Sequence, residues 1–215
     1  MNPDHLVQVQ KNHYYHCYDS IDRFISYFYQ VDLTKSLQPQ SILEVGVGNK
    51  TITNYLRQYG YPVTTCDFDA KLEPDHVADV RALPFVDDSF DAVLAFEVLE
   101  HIPWDQVEMA LAELHRVTRR YVLISIPYAS AVFELVVHFP LIQRIMKKPL
   151  VDLCFLRLPY FFRRIPIAGE HYWEMGRWGY SKNIVRKLLQ DRFRIMREVR
   201  PILDTIHYFF VLEKR

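Results

Sequence analysis

The chain has 215 residues, half of them hydrophobic, which suffices for one domain with a single sizeable core. Its 26 Lys and Arg balance 26 Asp and Glu, so no global positive field gathers nucleic acid, and a bulk nucleic-acid binder is not expected. Cys17, Cys66 and Cys154 are odd in number and form no CxxC pair, and the N-terminus has no signal-peptide core, which together point to the cytoplasm. The most lipid-like run, YVLISIPYASAVFELVVHF, is broken by Glu134 and followed by Pro140, short of the ~20 clean apolar residues of a membrane span.

In chain order, residues 1–40 read as a helical, Tyr- and Phe-rich lead-in that ends at Pro39. SILEVG is a short buried strand, followed by Gly46 and Gly48 and then a helix in which Ile52, Tyr55, Leu56 and Tyr59 share a face and Gly60 ends the run. YPVTTCD is a second strand, HVAD a short third and FDAVLAF a fourth. A helix follows with Val107, Ala110, Leu111, Leu114 and Val117 on one face, and then the strand YVLISIP. Ser181 reads as the N-cap of a helix whose Ile184, Val185, Leu188 and Leu189 face inward, and RIMREV and IHYFFVLEK close the chain as strands. This alternation predicts an α/β, Rossmann-like, doubly wound fold with a mostly parallel seven-stranded sheet covered on both faces. Residues 41–215 form the domain, and residues 128–180 are expected to be a helical insert after the fifth strand, serving as a lid on the acceptor side.

In such a sheet a ligand sits beyond the carboxyl ends of the strands, which selects the residues just after each one. Gly46 and Gly48 remove side chains where the main chain passes close to a ligand, although a tight turn without a ligand would use glycines too. Asp67 lies 23 positions after Glu44, near the spacing at which a carboxylate meets ribose hydroxyls, and an Asp there also serves as a turn residue. A nicotinamide-dependent oxidoreductase would share this first unit, but it gives no role to Asp79 or to the cluster Glu97, Glu100 and His101.

The ordered series LEVGVGN, CDFD, ADVRALPF, DDSFDAVLAFEVLEHI and YVLISIP resembles the motifs of class I S-adenosylmethionine-dependent methyltransferases, across about Ser41 to Pro127. EHYWEMGRWGYS and IHYFFVLEK resemble the tails of uncharacterised members of that group. The resemblance implies S-adenosylmethionine as cofactor and S-adenosylhomocysteine as product. It implies that Glu44, Gly46, Gly48 and Asn49 wrap the methionine moiety, with carbonyls near Ala95 and Phe96 meeting its ammonium. It further implies that Asp67 accepts from the ribose hydroxyls, that Phe68 lies on the adenine, and that Asp79 with the Val80 N–H reads the adenine edge, while Glu97 and His101 complete the site. Lys50 stands where the pattern has glycine. A binding protein that holds this cofactor without turning it over would carry the same motifs.

Methyl transfer from a sulfonium is an in-line displacement from an activated leaving group, so a strong base is optional and no catalytic residue is assigned. The acceptor, small or lipid-like, is expected to be chosen by residues 128–180, with Phe133, His171, Tyr172 and Trp173 facing it. Between Tyr128 and Ile167 six basic residues, Arg144, Lys147, Lys148, Arg157, Arg163 and Arg164, stand against only Glu134 and Asp152, a pattern suited to an anionic acceptor or a membrane surface. A helical cover with solvated charges fits the same pattern. Arg23, with one of Tyr14, Tyr18, Tyr27 and Tyr29, is expected to close over the cofactor carboxylate. His13, His16 and Cys17 lack a fourth ligand, and no metal is expected.

Overall fold

The computed structural model describes residues 20–129, 136–138, 145, 152–154, 170–204 and 206–215, with residues 136–138 and 152–154 described by backbone alone. Helix α1 (Ile21–Ser36) leads into β1 (Ile42–Val45), α2 (Thr51–Gln58), β2 (Val63–Asp67), β3 (His76–Val77) and β4 (Phe90–Phe96). Then come α3 (Val107–Val117), β5 (Thr118–Pro127), β6 (Val136–His138), β7 (Asp152–Cys154), α4 (Lys182–Gln190), β8 (Phe193–Val199) and β9 (His207–Lys214). Seven strands form one sheet in the order β3-β2-β1-β4-β5-β9-β8. β1 to β5 run parallel, and β9 enters antiparallel between β5 and β8.

Alternation along the strands sorts the core into two layers, because successive side chains leave a strand on opposite faces. Ile42, Leu94, Phe96, Leu123, Phe209 and Val211 pack on one face against Leu33 of α1 and Ile52 and Leu56 of α2. Leu43, Val45, Val93, Ala95, Val122, Ile124, Phe210 and Leu212 pack on the other, against Leu111 and Leu114 of α3 and Val185 and Leu189 of α4. Ser20 and Ser181 cap α1 and α4, accepting hydrogen bonds from the Arg23 and Ile184 N–H groups.

Three local expectations change. Tyr55 and Tyr59 do not share the buried face of α2; they stack on each other outside, with the Lys35 ammonium 4.3 Å above the Tyr59 ring. On α4, Ile184 lies outside and only half-buried Leu188 joins Val185 and Leu189, because a helix presents one stripe to a sheet. The insert is not purely helical: β6 and β7 pair as an antiparallel two-stranded sheet. Residues 170–180 return to the domain, where Met175 bridges to Tyr128 and is fully buried. Phe133 and the basic side chains Arg144, Lys147, Lys148, Arg157, Arg163 and Arg164 lie outside the described residues, as do His13, Tyr14, His16, Cys17 and Tyr18.

Leu111 is fully buried at the centre of the α3 layer, so Leu111→Ala is expected to cost about 2–5 kcal/mol. Ile184→Ala, on the exposed side of α4, should cost under ~1 kcal/mol. Urea titrations of both variants check the contrast, and equal losses would contradict this assignment of faces.

Candidate active site

The chain leaves β1 toward β2 and leaves β4 toward β5, so a crevice opens above β1 and β4 where the strand order reverses. A cavity of about 280 Å3 occupies it. All eleven residues assigned to the cofactor from the sequence line this cavity, joined by Arg23, Tyr27 and Gln30 from α1. The Tyr27 hydroxyl donates to Asn49 Oδ1 at 3.2 Å, tying the lead-in helix to the glycine loop.

Gly46 has φ +81°, and a Cβ there would lie 2.6 Å from the Val98 side chain, so both conformation and space demand glycine. Substitution at Gly46 therefore strains the fold as well as the cavity. Lys50 takes φ +60°, the left-handed conformation a glycine would adopt, and turns its ammonium to the Glu73 carbonyl oxygen at 2.7 Å. The loop thus keeps its path without glycine at a local strain on the order of 1 kcal/mol. Asp67 spans loop and strand: Oδ2 accepts the Val47 N–H at 2.8 Å and Oδ1 the Asp69 N–H at 2.9 Å. Burial raises its pKa against these bonds.

Two further carboxylates differ in their partners. Glu44 is buried and accepts from the Thr53 hydroxyl; burial first, opposed by that bond, pushes its pKa to about 7. Asp79 forms a two-pronged ion pair with Arg81, at 2.9 Å and 2.6 Å, so the carboxylate expected to read an adenine is already held by a residue the sequence did not single out.

At the β4 end, Glu97 adopts φ +54° and the turn Leu99–His101 follows as one turn of 3-10 helix. His101 and His171 meet edge to face with ring centroids 4.9 Å apart, and both line the cavity. Trp173 does not: it is buried in the core, its indole N–H donating to the Leu99 carbonyl at 3.0 Å and its ring against Trp104. Tyr172 is half-exposed and also stands off the cavity, its main-chain N–H donating to the Glu100 carbonyl at 2.8 Å. These two contacts clamp the segment to the turn and so set His171 beside His101.

His207, at the start of β9, was not singled out from the sequence and lines the same end of the cavity. Its Nδ1 lies 2.7 Å from Asp204 Oδ2 and its Nε2 lies 3.6 Å from Glu97 Oε2. Burial opposes charge on this imidazole, but Glu97 and then Asp204 outweigh it and raise its pKa. The only sequence signal was an Asp three residues before a His at a strand start, and the ring's meeting with Glu97 is set by β9 pairing beside β5.

The raised Glu44 pKa has a defined sign. The folded chain holds the proton more tightly than the unfolded one, so stability from this group is present below the ordinary value of 4.5 and lost as pH rises through about 7. Glu44→Gln is expected to flatten this slope, with a difference of up to roughly 3 kcal/mol between pH 4.5 and 8. Denaturation midpoints across that range check it; parallel curves for both proteins would contradict it.

Residues 43–126 match the family described as methyltransferase domain. No curated protein sequence is significantly similar to the chain. Among solved structures, a protein of Pyrococcus horikoshii OT3 superimposes with a TM-score of 0.62 at 15% identity, covering 96% of this chain and 100% of that one. Magnesium protoporphyrin IX methyltransferase from Synechocystis PCC 6803, solved with bound S-adenosylhomocysteine, gives 0.57 at 14% identity, covering 90% and 83%. The 1,6-didemethyltoxoflavin-N1-methyltransferase of Burkholderia thailandensis gives 0.56 at 18%, covering 90% and 77%. Residues 43–126 thus match a methyltransferase-domain family, and the seven-stranded sheet around them has the same fold as these solved structures.

Proposed function

We propose that the protein transfers a methyl group from S-adenosylmethionine to a small-molecule acceptor and releases S-adenosylhomocysteine. The observation that carries this reading is the acidity of the crevice: Glu44, Asp67, Asp79 and Glu97 all line one cavity. S-adenosylmethionine bears a sulfonium and an ammonium, which such a wall complements. A nicotinamide dinucleotide would instead bring an anionic pyrophosphate to this loop. Gly46 leaves the space that a ligand's methionine moiety needs, Asp67 keeps lone pairs for hydroxyl donors, and Arg23 suits the cofactor carboxylate.

The chemistry needs little more than alignment. Holding acceptor and sulfonium in line supplies roughly 7–11 kcal/mol of the barrier, and the apolar portion of the wall, Phe96, Val98, Ile102 and Ile206, excludes water. A small acceptor is consistent with the size of the crevice and with the acceptors in the names of the Synechocystis and Burkholderia enzymes.

Calorimetry with S-adenosylhomocysteine tests the reading. One equivalent is expected to bind, and the same concentration of NAD is expected to leave the melting temperature unmoved. Asp67→Asn, which trades a charged acceptor for a neutral one, should weaken S-adenosylhomocysteine binding on the order of tenfold to a hundredfold. Unchanged affinity in the folded variant removes Asp67 from the site. A stabilising shift with NAD alone overturns the proposed reaction.

A further inference from the structure

We propose that Glu100, His101 and His171 form a divalent-cation site on the acceptor side of the crevice. One side-chain ligand atom from each residue lies within 4.8 Å of the others, although His171 is seventy positions further along the chain. A contraction toward the ~3–4 Å separations of ligands around a small cation closes this triangle. The clamp made by the Tyr172 N–H and the Trp173 indole on the Leu99–His101 turn is what assembles it.

Both imidazoles are oriented as metal ligands are. His101 Nδ1 lies 3.2 Å from the Glu170 carbonyl oxygen, and His171 Nδ1 lies 3.0 Å from Glu174 Oε1. Glu174 is itself held by Arg177 at 2.8 Å. A carbonyl behind His101 and a carboxylate behind His171, each at Nδ1, favour the tautomer that carries its lone pair on Nε2.

Glu100 supplies the independent indication. It is fully buried and neither carboxylate oxygen has a hydrogen-bond partner. Glu97, three residues earlier, also has Oε1 buried without a hydrogen-bond partner. A buried carboxylate left without partners is costly, and a cation held at Glu100 offsets that cost. Two imidazoles and a carboxylate suit a borderline ion such as Zn2+ or Mn2+ better than Ca2+.

The histidines line the cavity while Glu100 lies behind them, so open coordination positions face the acceptor. Resting on the methyl-transfer reading, this narrows the acceptor to a molecule that presents an oxygen, a hydroxyl or phenol, to the cation. The cation lowers the hydroxyl pKa, and its proton leaves to solvent. The oxygen bonds to the methyl carbon while the carbon–sulfur pair returns to sulfur.

Calorimetric titration of chelator-treated protein with ZnCl2 and with MnCl2, without cofactor, is the test. One equivalent is expected to bind with release of protons, and Glu100→Gln and His171→Asn should each weaken it at least tenfold. S-adenosylhomocysteine binding, measured separately, certifies that each variant is folded; should Glu100→Gln fail to fold, His171→Asn decides. Absence of binding up to millimolar metal, or unchanged affinity in a folded variant, overturns the site. Cation binding with no S-adenosylhomocysteine binding would leave the site standing and remove the methyl-transfer reading.

Discussion

Four buried residues, Ile42 to Val45, are paired on both edges: β1 joins β2 on one side and β4 on the other, all parallel. Because the chain departs from β1 and from β4 in opposite directions, nothing covers the gap between them at the strand ends, and a crevice is unavoidable. Everything functional hangs on that geometry. Gly46 carries the chain over the rim, the Val47 N–H reaches across to Asp67, and the Tyr27–Asn49 contact brings the lead-in helix over the opening. The two apolar layers hold β1 central, so the rim is rigid even though its loop includes a left-handed Lys50.

The crevice gathers carboxylates whose environments differ. Asp67 is fixed by main-chain donors and Asp79 by Arg81, so their charges are offset locally. Glu44 is buried with only a hydroxyl donor, and its proton affinity climbs toward neutrality. Glu97 faces His207, which Asp204 holds from behind. The cavity's carboxylates are therefore offset in different ways and to different degrees, and Glu97 meets its counter-charge in His207.

Much of the cofactor side was legible in the sequence because it is written locally. Gly46, Asp67, Asp79 and Glu97 lie at or just past strand ends, and strands announce themselves by apolar runs and periodicity, so these four could be placed in one crevice without distances. The α3 face was equally plain, with its five apolar positions all buried. What failed depended on contacts made far along the chain. Trp173 looked like an acceptor wall beside His171, yet its indole found the Leu99 carbonyl and left the cavity. Arg81 carried no local signal and His207 only the Asp three residues before it, since their importance lies in Asp79, Asp204 and Glu97 standing opposite. Tyr55 and Ile184 fitted a helical period, but amphipathic spacing marks a stripe without fixing its width.

This contrast between the two ends of the crevice has a physical consequence. The glycine-loop end is built from β1, β2, β3 and their immediate turns, so its shape follows from the sheet itself. The histidine end is assembled from the Leu99–His101 turn, residues 170–173 and the start of β9, held by hydrogen bonds to main-chain carbonyls. Such bonds fix position without constraining which side chain sits between them. His171 could be exchanged while the Tyr172 and Trp173 clamp stays intact, and the cavity would change its chemistry without the sheet noticing. A fold built this way separates a crevice end set by the sheet from one set by returning loops, and the separation lies between residues 96 and 98, where Phe96 still belongs to the core and Glu97, with its left-handed backbone, already lines the cavity beside His101.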